Sequence, residues 1–504
     1  MLKYCIINAK KIIPISLATS GVFYCCDKKF DGKASSAFLR MGRAVSTVSA
    51  IVFDYKLALR KLDESSDVYR DVKSRVHSRA AVRLKELCKK NGGVYIKVGQ
   101  HLSSLDYLLP REYTSCLKEL LSKAPVSPIE EVFAVIEEDL NDKVENIFQE
   151  FSEEPIGAAS LAQVHKAKLK NTGDLVAVKV QHKVVKQNSD IDILTMEILV
   201  TLVGKTFPEF SFMWLVEETK KNLPKELDFI HEGKNCEKVE KMFKHLKFLK
   251  VPKVYWKFSS HRILTMEYCE GNQIDDTAYA IKNQINIRKT ISYLTQLYGE
   301  MIYEKGFIHC DPHPGNILIR GKGRNDVELV LLDHGLYQTL TEDFRIEYSR
   351  LWLSLMKSDI ESIKKHANFL GVGHLYGLLA TMEEYIRLHA GKFITEIAEV
   401  LATVPRQMLL VLKTNDLIRS IEYTHNMRSD PRNLLKVAES CTNAVYRYEK
   451  EKSSKFTYLF LSFAHSIAIM KLGFYSHLMS LSRIGLRYFH FFRRLFSSSQ
   501  LALN

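Results

Sequence analysis

Nine cysteines are scattered along the 504 residues; only Cys25 and Cys26 are adjacent, and no C-x-x-C pair occurs. That argues against a disulfide framework or a structural zinc and fits free thiols in a reducing compartment. No RNP, zinc-finger or helix-turn-helix pattern accompanies the 72 Lys and Arg, so a formal charge of +14 does not point to nucleic acid. Anionic lipid or import into an organelle would also account for it. Acid is missing from one stretch: residues 1 to 26 hold Lys3, Lys10 and Lys11 and no Asp or Glu before Asp27. Basic, hydroxylated and acid-free is the composition of a mitochondrial import segment, though the bases here are Lys rather than Arg. Two rivals compete for it. Ile12 to Cys26 can be read as the apolar part of a secretory signal, without a clean small-residue cleavage site, or as a membrane anchor that Pro14 interrupts and that is short for a full span. Disorder is not indicated. A hydrophobic content of 46% and a charged content of 26% are those of a globular chain, long enough for two or three domains.

The densest chemistry is in G-F-I-H-C-D-P-H-P-G-N-I-L-I, residues 306 to 319, followed by V-L-L-D-H-G at 330 to 335. Asp311 offers a carboxylate, Asn316 a carboxamide oxygen five residues on, and Asp333 a second carboxylate. Short apolar runs, Ile317 to Ile319 and Leu329 to Leu332, read as the strands of a tight hairpin whose ends hold Asn316 and Asp333 side by side. Hard oxygen ligands with a nearby Asp to orient a hydroxyl are what a magnesium–nucleotide site needs. A lone Asp or Asn between strands is usually a turn former. The Asp–x4–Asn spacing with L-L-D-x-G at hairpin distance is the order found in protein kinases, and it outweighs that reading.

Upstream, P-I-G-A-A-S-L-A-Q-V-H-K-A at 155 to 167 and L-V-A-V-K-V-Q at 175 to 181 read as strand, small-residue loop, strand, turn and a strand carrying Lys179. V-A-V-K alone is a common strand sequence. About 130 residues ahead of the Asp–Asn–Asp group it takes the place of a lysine that grips the α- and β-phosphates. Ala158 and Ala159 stand where glycines would, which predicts a stiffer, differently shaped loop. The carboxylate that holds Lys179 is Glu197 by ordinary kinase spacing, or one from E-L-D-F-I-H-E at 226 to 232. Read as one helix, that segment puts Asp228 and Glu232 on a shared face with Glu226 roughly opposite, and spacing does not choose among them.

Residues 34 to 90 read as helical. After Gly92 and Gly93, Val94, Val98, Leu102 and Leu105 form an apolar stripe, with Lys97, His101 and Ser104 on a neighbouring face. Residues 124 to 151 read as a linker holding a helix, with Pro125 and Pro128 ahead of it. Val251 to Trp256 and Arg262 to Tyr268 read as two strands, the second ending where a hinge would meet adenine. After Asp333 the chain passes within a few positions into a helical pattern and no A-P-E follows, which argues against a peptide-docking platform. Residues 341 to 450 are helical by pattern. In the tail, Phe456 to Leu481 is apolar and Arg483, Arg487, Arg493 and Arg494 alternate with Ile, Leu, Tyr and Phe. This describes a helix lying on an anionic bilayer, a helix packed on the preceding domain with a basic face in solvent, or, against Lys471 at its centre, a membrane span.

In this order the pieces resemble the UbiB family, the aarF-domain-containing atypical kinases. The matches are K-V-G-Q at 97 to 100, G-A-A-S at 157 to 160, V-A-V-K at 176 to 179, E-L-D at 226 to 228, H-C-D-P-H-P-G-N at 309 to 316 and D-H-G at 333 to 335. S-L-D-Y-L-L-P at 104 to 110 and V-P-R-Q-M-L-L-V-L-K-T-N-D-L at 404 to 417 look like an animal mitochondrial branch. The resemblance implies an α+β, bilobal protein-kinase-like fold with a helical N-terminal extension over the active site and a helical C-terminal tail. The expected parts are a targeting segment (1–33), the extension (34–150), an N-lobe with the E-L-D insert (151–270), a C-lobe (271–450) and an amphipathic basic tail (451–504).

It further implies ATP or ADP with Mg2+ as cofactors. Lys179 would grip the phosphates with Glu232, rather than Glu197, as its partner, and Lys97 would meet Glu226. Asp311 would be the catalytic-loop Asp, and Asn316 and Asp333 the metal ligands. Gly157, Ala158, Ala159, Ser160, Val164 and Ala177 would surround the nucleotide, with Glu267 and Tyr268 at the hinge. Family members are implicated in coenzyme Q and lipid homeostasis and in membrane (cristae) organisation. The expected partners are a small-molecule or lipid substrate and the mitochondrial inner membrane. Gly157 departs from the family's best-studied branch, which has Ala there, and D-H-G replaces D-F-G. The alternative function is a nucleotide-binding regulator of pseudokinase type without turnover; an ordinary protein kinase is disfavoured by the missing A-P-E.

Overall fold

The computed structural model describes residues 33–498 apart from 64, 104–108, 123–125, 208–211, 324–325, 374–405 and 428–430. The import-segment reading of residues 1 to 26, Ser104 and Leu105 therefore lie outside the described residues. Two compact units form: residues 1–233 with 254–268, and residues 234–253 with 269–504. This division cuts across the five parts expected from sequence, because the extension and the first sheet share one unit.

In the first unit, helices α1 (Lys33–Ala58), α2 (Asp67–Asn91), α3 (Val94–Ser103) and α4 (Arg111–Leu117) precede α5 (Ile129–Leu140). The strands are β1 (Phe148–Phe151), β2 (Gly157–Ala158), β3 (Ala162–Leu169), β4 (Leu175–Gln181) and, after helices α6 (Val185–Thr206), α7 (Met213–Glu226) and α8 (Phe229–Met242, of which residues from Lys234 on belong to the second unit), β5 (Ile263–Glu267). They form an antiparallel sheet in the order β1-β3-β4-β5, with β2 added to β3. Val176, Val178 and Val180 alternate inward against α5, whose Val132, Val135 and Ile136 are buried. The stretch read as a linker is thus part of the core. The extension is equally integral. Arg40 of α1 donates Nε–H to Asp192 of α6 at 2.9 Å, and Asp192 is only 1% exposed.

The α3 stripe packs as read at Val94, Val98 and Leu102, but across two cores and with more of the helix buried. Tyr95 and Ile96 are buried with Leu117 and Leu120, while Val94 packs into a separate cluster with Leu161 and Leu227. Gly99 is required by a close approach, since a Cβ there would lie 2.5 Å from Leu120 Cδ1 in that core. Val251 to Trp256 does not form the expected strand. Pro252 has no N–H to give a ladder, Val254 makes a lone bridge to Met266, and Trp256–Phe258 is a 3₁₀ turn.

In the second unit, β6 (Asn272–Gln273) and α9 (Ile287–Gly299) precede β7 (Phe307–His309), β8 (Ile317–Gly321), β9 (Val327–Leu331) and β10 (Tyr337–Thr339). Helices α10 (Glu342–Lys357), α11 (Ile360–Phe369), α12 (Arg406–Thr424), α13 (Pro431–Lys452) and α14 (Lys455–Ser498) follow. The predicted hairpin forms as β8–β9, with Ile317 opposite Leu331. It is flanked by β6 on one side and by Leu249–Lys250, in parallel, on the other. A second ladder pairs β7 with β10. The helical core gathers Ile302, Tyr303, Phe344, Tyr348, Val411 and Ala444 beneath them.

Candidate functional site

In the first unit the β3–β4 ladder sets Val164 opposite Lys179. The two-residue alternation leaves Val164, Ala177 and Lys179 half-buried on one face while His165, Val178 and Val180 are buried on the other. Lys179 Nζ donates to both oxygens of Glu232, at 2.7 and 2.8 Å, and lies 5.1 Å from the centre of the Phe229 ring. The Glu232 side chain is 2% exposed. Glu197 pairs instead with Lys220 at 2.6 Å, both side chains more than a third exposed.

The E-L-D segment is not one helix. α7 ends at Glu226, and α8 begins at Phe229 with Asp228 Oδ1 accepting the Ile230 N–H at 3.1 Å and facing His261 Nδ1 at 2.8 Å. The break separates the two acids. Glu226, at the end of α7, pairs with Lys97 of α3 at 2.8 Å, and Glu232, in the first turn of α8, pairs with Lys179.

The small-residue loop is an exposed hairpin turn. Gly157 and Ala158 pair with Val164 and Gln163, and the Ala159 N–H reaches the Ala162 carbonyl at 2.8 Å. None of Gly157, Ala158, Ala159 or Ser160 has a positive φ, so the alanines cost no backbone strain. A Cβ on Gly157 would meet nothing within 4 Å, so the departure from Ala at that position leaves the loop's shape alone. Ser160 is buried, while Gly157, Ala158 and Ala159 are exposed. At the hinge, Glu267 is opposite Val176, on the face away from Lys179, and the Tyr268 N–H is taken by the Leu175 carbonyl.

His182 is a residue the sequence reading passed over. Its Nε2 donates to the Ala159 carbonyl at 3.2 Å and its Nδ1 accepts from the Ser127 hydroxyl at 2.9 Å, which ties the loop down. His165 is held similarly between the Ser152 carbonyl and Gln163, stacked on Phe151. Burial pushes both imidazoles below their ordinary 6.5, against the bonds to Ala159 and Ser152, which pull the other way. A neutral histidine in the fold and a protonatable one in the unfolded chain fix the sign. Their contribution is complete above pH 6.5 and is lost as pH falls through the depressed folded values. The urea midpoint is therefore expected to drop between pH 7 and pH 5, and His182→Asn is expected to flatten that slope. An unchanged slope in the variant would remove His182 from the account.

In the second unit, Gly306 (φ 60°) caps the helical turns Glu300–Lys305 and turns the chain into β7. Asp311 follows the end of β7, Asn316 precedes β8, and Asp333 follows β9 by one residue. The Leu332 N–H bonds to the Asn316 carbonyl at 3.0 Å, continuing the hairpin ladder to the two candidate ligands. Asn316 Nδ2 donates to the Asp311 carbonyl at 3.2 Å, and Asp333 Oδ1 accepts the Gly335 N–H at 2.9 Å.

Two further histidines, unassigned by sequence, hold these loops. His309 Nδ1 accepts the Asp311 N–H at 3.2 Å, so its Nε2 is the donor to the Asp333 carbonyl, 2.8 Å away. The signal was present as the first letter of H-C-D. His334, 1% exposed, donates Nε2–H to the Leu331 carbonyl and accepts at Nδ1 from the Tyr337 hydroxyl, each at 3.1 Å. Burial raises the Tyr337 phenol well above its usual range, so that donor keeps its proton. In D-H-G the imidazole thus fills the packing position with its hydrogen bonds satisfied, and Asn235 Nδ2 donates to its carbonyl at 3.0 Å.

The donor set fits magnesium. One carboxylate and one carboxamide oxygen are hard ligands, and the Asn316 amide is oriented by the Asp311 carbonyl, which fixes its nitrogen and with it its oxygen. Among the described residues no three His, Cys, Asp or Glu side chains form a metal cage, so a cation here would complete its shell with water and phosphate oxygens.

The ABC1 atypical kinase-like domain model matches residues 119–367. AarF domain-containing protein kinase 1 of Gallus gallus is 44% identical over 518 residues, covering 98% of this chain and 99% of that protein. AarF domain-containing kinase 1 of Drosophila melanogaster is 46% identical over 445 residues, covering 83% and 86%. A solved structure, that of the Rv3197–erythromycin complex from Mycobacterium tuberculosis, matches with a TM-score of 0.49 at 20% identity, covering 75% of this chain and 98% of that one.

Proposed function

The chain belongs to the ABC1 (AarF-domain) atypical kinase family, and from that premise we propose that it binds Mg–ATP or Mg–ADP and transfers phosphate to water or to a small molecule or lipid. The observation that carries this reading is the buried Lys179–Glu232 pair, a cation fixed on a strand with both carboxylate oxygens engaged. Lys179 binds the phosphates. Asp311 orients the attacking hydroxyl or water, and Asn316 and Asp333 hold the cation. Bound there, magnesium supplies charge neutralisation on the phosphate oxygens.

A peptide acceptor is disfavoured, because only β10 lies between Gly335 and the start of α10 at Glu342. Protein kinases use the corresponding stretch to dock the substrate peptide. The acid-free, basic residues 1 to 26 support action in the mitochondrion. Within it we assign the protein to the inner membrane, in lipid and coenzyme Q homeostasis.

The test is magnesium-dependent nucleotide hydrolysis by the purified full-length chain beside Asp311→Asn. Turnover removed by the substitution is expected. Nucleotide binding without any turnover would replace this reading with a regulator that signals by shape. Phosphorylation of a generic peptide, lost in Asp311→Asn, would overturn the small-substrate assignment.

A further inference from the structure

α14 is built inside out. Along one side it is tied to α13 by polar groups: Tyr446 Oη meets Ser462 Oγ at 2.8 Å, His465 Nε2 donates to Asn443 Oδ1 at 2.8 Å, and the Tyr446 and His465 rings stack at 4.1 Å. The opposite side is apolar and exposed. Phe460, Phe463, Met470 and Phe474 are 65 to 72% open, and the stretch Thr457–Leu478 has a mean hydropathy of 1.3 with none of it buried. A water-facing surface of that composition marks an interaction site. Because the polar seam is already used by α13, the apolar outer face is what the helix presents to a partner or a bilayer.

A cavity of about 500 Å³ opens at this helix, between it and the starts of α9 and α13. α9 brings Arg288 and Lys289, and α13 brings Arg432 and Lys436; Glu439 is the one acid among the lining residues. Neither helix has an acid in its first turn, so the positive ends of a 13-residue and a 22-residue helix reinforce the four cations. Lys289 shares its charge with Asp326 at 2.9 Å, and Arg288 makes no ion pair among the described residues. Among the described residues Lys436 donates to two neutral oxygens, the Ser292 carbonyl at 3.3 Å and Gln296 Oε1 at 3.4 Å; burial holds its pKa below the usual lysine value, against the pull of Glu439 and Glu300. With four cations to one acid in its lining, the cavity is suited to an anion. The rest of the lining is mixed, with Asn286, Ser292, Asn433 and Ser476 polar, and it includes Ile469 and Leu472 of α14, on the same helix as the exposed phenylalanines.

We propose that this cavity is the headgroup site of an anionic phospholipid, its phosphate held by Arg432, Lys436 and Arg288 and its acyl chains running along the outer face of α14. A free phosphate compound would satisfy the cations and leave Ile469, Leu472 and the aromatic outer face of the same helix without a function. The lipid uses both. None of the cavity's residues belongs to the loops that carry Asp311, Asn316 or Asp333, so the site can be tested without any turnover.

The experiment is flotation of the full-length chain with vesicles of phosphatidylcholine alone and with phosphatidylglycerol added, comparing the native protein with Arg432→Gln/Lys436→Met. Each basic residue at an anionic surface is worth a factor of about 5, so the pair should cost roughly 25-fold in binding to the anionic vesicles. Binding to neutral vesicles should be unchanged. If the double variant melts early, Arg432→Gln alone, at about 5-fold, carries the test. Equal flotation of native and variant proteins on anionic vesicles would overturn the proposal. So would a native melting temperature raised by glycerol phosphate in solution as much as by vesicles and not raised in the variant, since the cavity would then take a free phosphate compound. A dimer that buries α14 and fails to float would assign that face to a second copy instead.

Discussion

Glu232→Ala will abolish nucleotide binding and destabilise the protein by about 3–5 kcal/mol, whereas Glu197→Ala will change stability by no more than about 1 kcal/mol. The two acids are alternatives by sequence spacing, and their surroundings separate them. Glu232 is 2% exposed and takes two hydrogen bonds from Lys179, itself 16% exposed, so its removal breaks a largely desolvated ion pair. Glu197 and Lys220 lie 36% and 44% exposed, where solvent screens the pair. A third variant separates folding from function. Replacing both partners, Lys179→Met with Glu232→Leu, exchanges the whole pair for apolar side chains and is expected to recover most of the lost stability with nucleotide binding still absent. Urea unfolding and nucleotide titration of the three variants decide the matter. A stable Glu232→Ala that binds nucleotide normally would make the pair an incidental contact.

What the sequence made legible is what is local and periodic. The β8–β9 hairpin was readable because apolar runs of strand length flank Asn316 and Asp333, and a two-residue period leaves one pairing that keeps those ends together. The apolar-flanked V-A-V-K likewise gave β4 with Lys179 on it, and the structure adds that Val164 is its cross-strand neighbour. The α+β kinase-like fold followed from the order of the motifs, and the family model and relatives agree with it.

What escaped the sequence depends on contacts distant along the chain. E-L-D-F-I-H-E holds no Gly or Pro and reads as one helix; Asp228 is a favoured N-cap type, but only the structure shows that it leaves the helix to cap the next one and to meet His261, 33 residues on. His182 gives no pattern either, since its partners Ser127 and Ala159 come from separate turns. The 251–256 segment failed for the opposite reason. Its β-favouring residues were read without giving weight to Pro252, which cannot donate to a ladder. The division of α14 into a polar seam and an apolar outer face was also invisible. Both faces carry large side chains, and only the packing of Ser462 and His465 onto α13 shows which is inside.

The largest purely chemical effect is expected from Asp333→Asn. Losing an outer partner of a metal ligand costs roughly 10–100-fold in affinity or activity, so loss of the ligand's own charge should exceed about a hundredfold in magnesium-dependent turnover. The local turn should be kept, because asparagine has an oxygen to accept the Gly335 N–H, and the His309 bond runs to the Asp333 carbonyl, which the substitution does not touch. That separation is the value of the test. Asn316→Ala would also remove the amide that donates to Asp311, and a loss there would mix geometry with coordination. The magnesium concentration for half-maximal turnover should rise in Asp333→Asn, and manganese, which carbonyl, carboxylate and water ligands also suit, should restore part of the rate. Unchanged turnover with an unchanged magnesium requirement would remove Asp333 from the metal site. A melting temperature lowered in step with the rate would reduce the carboxylate to a structural turn residue.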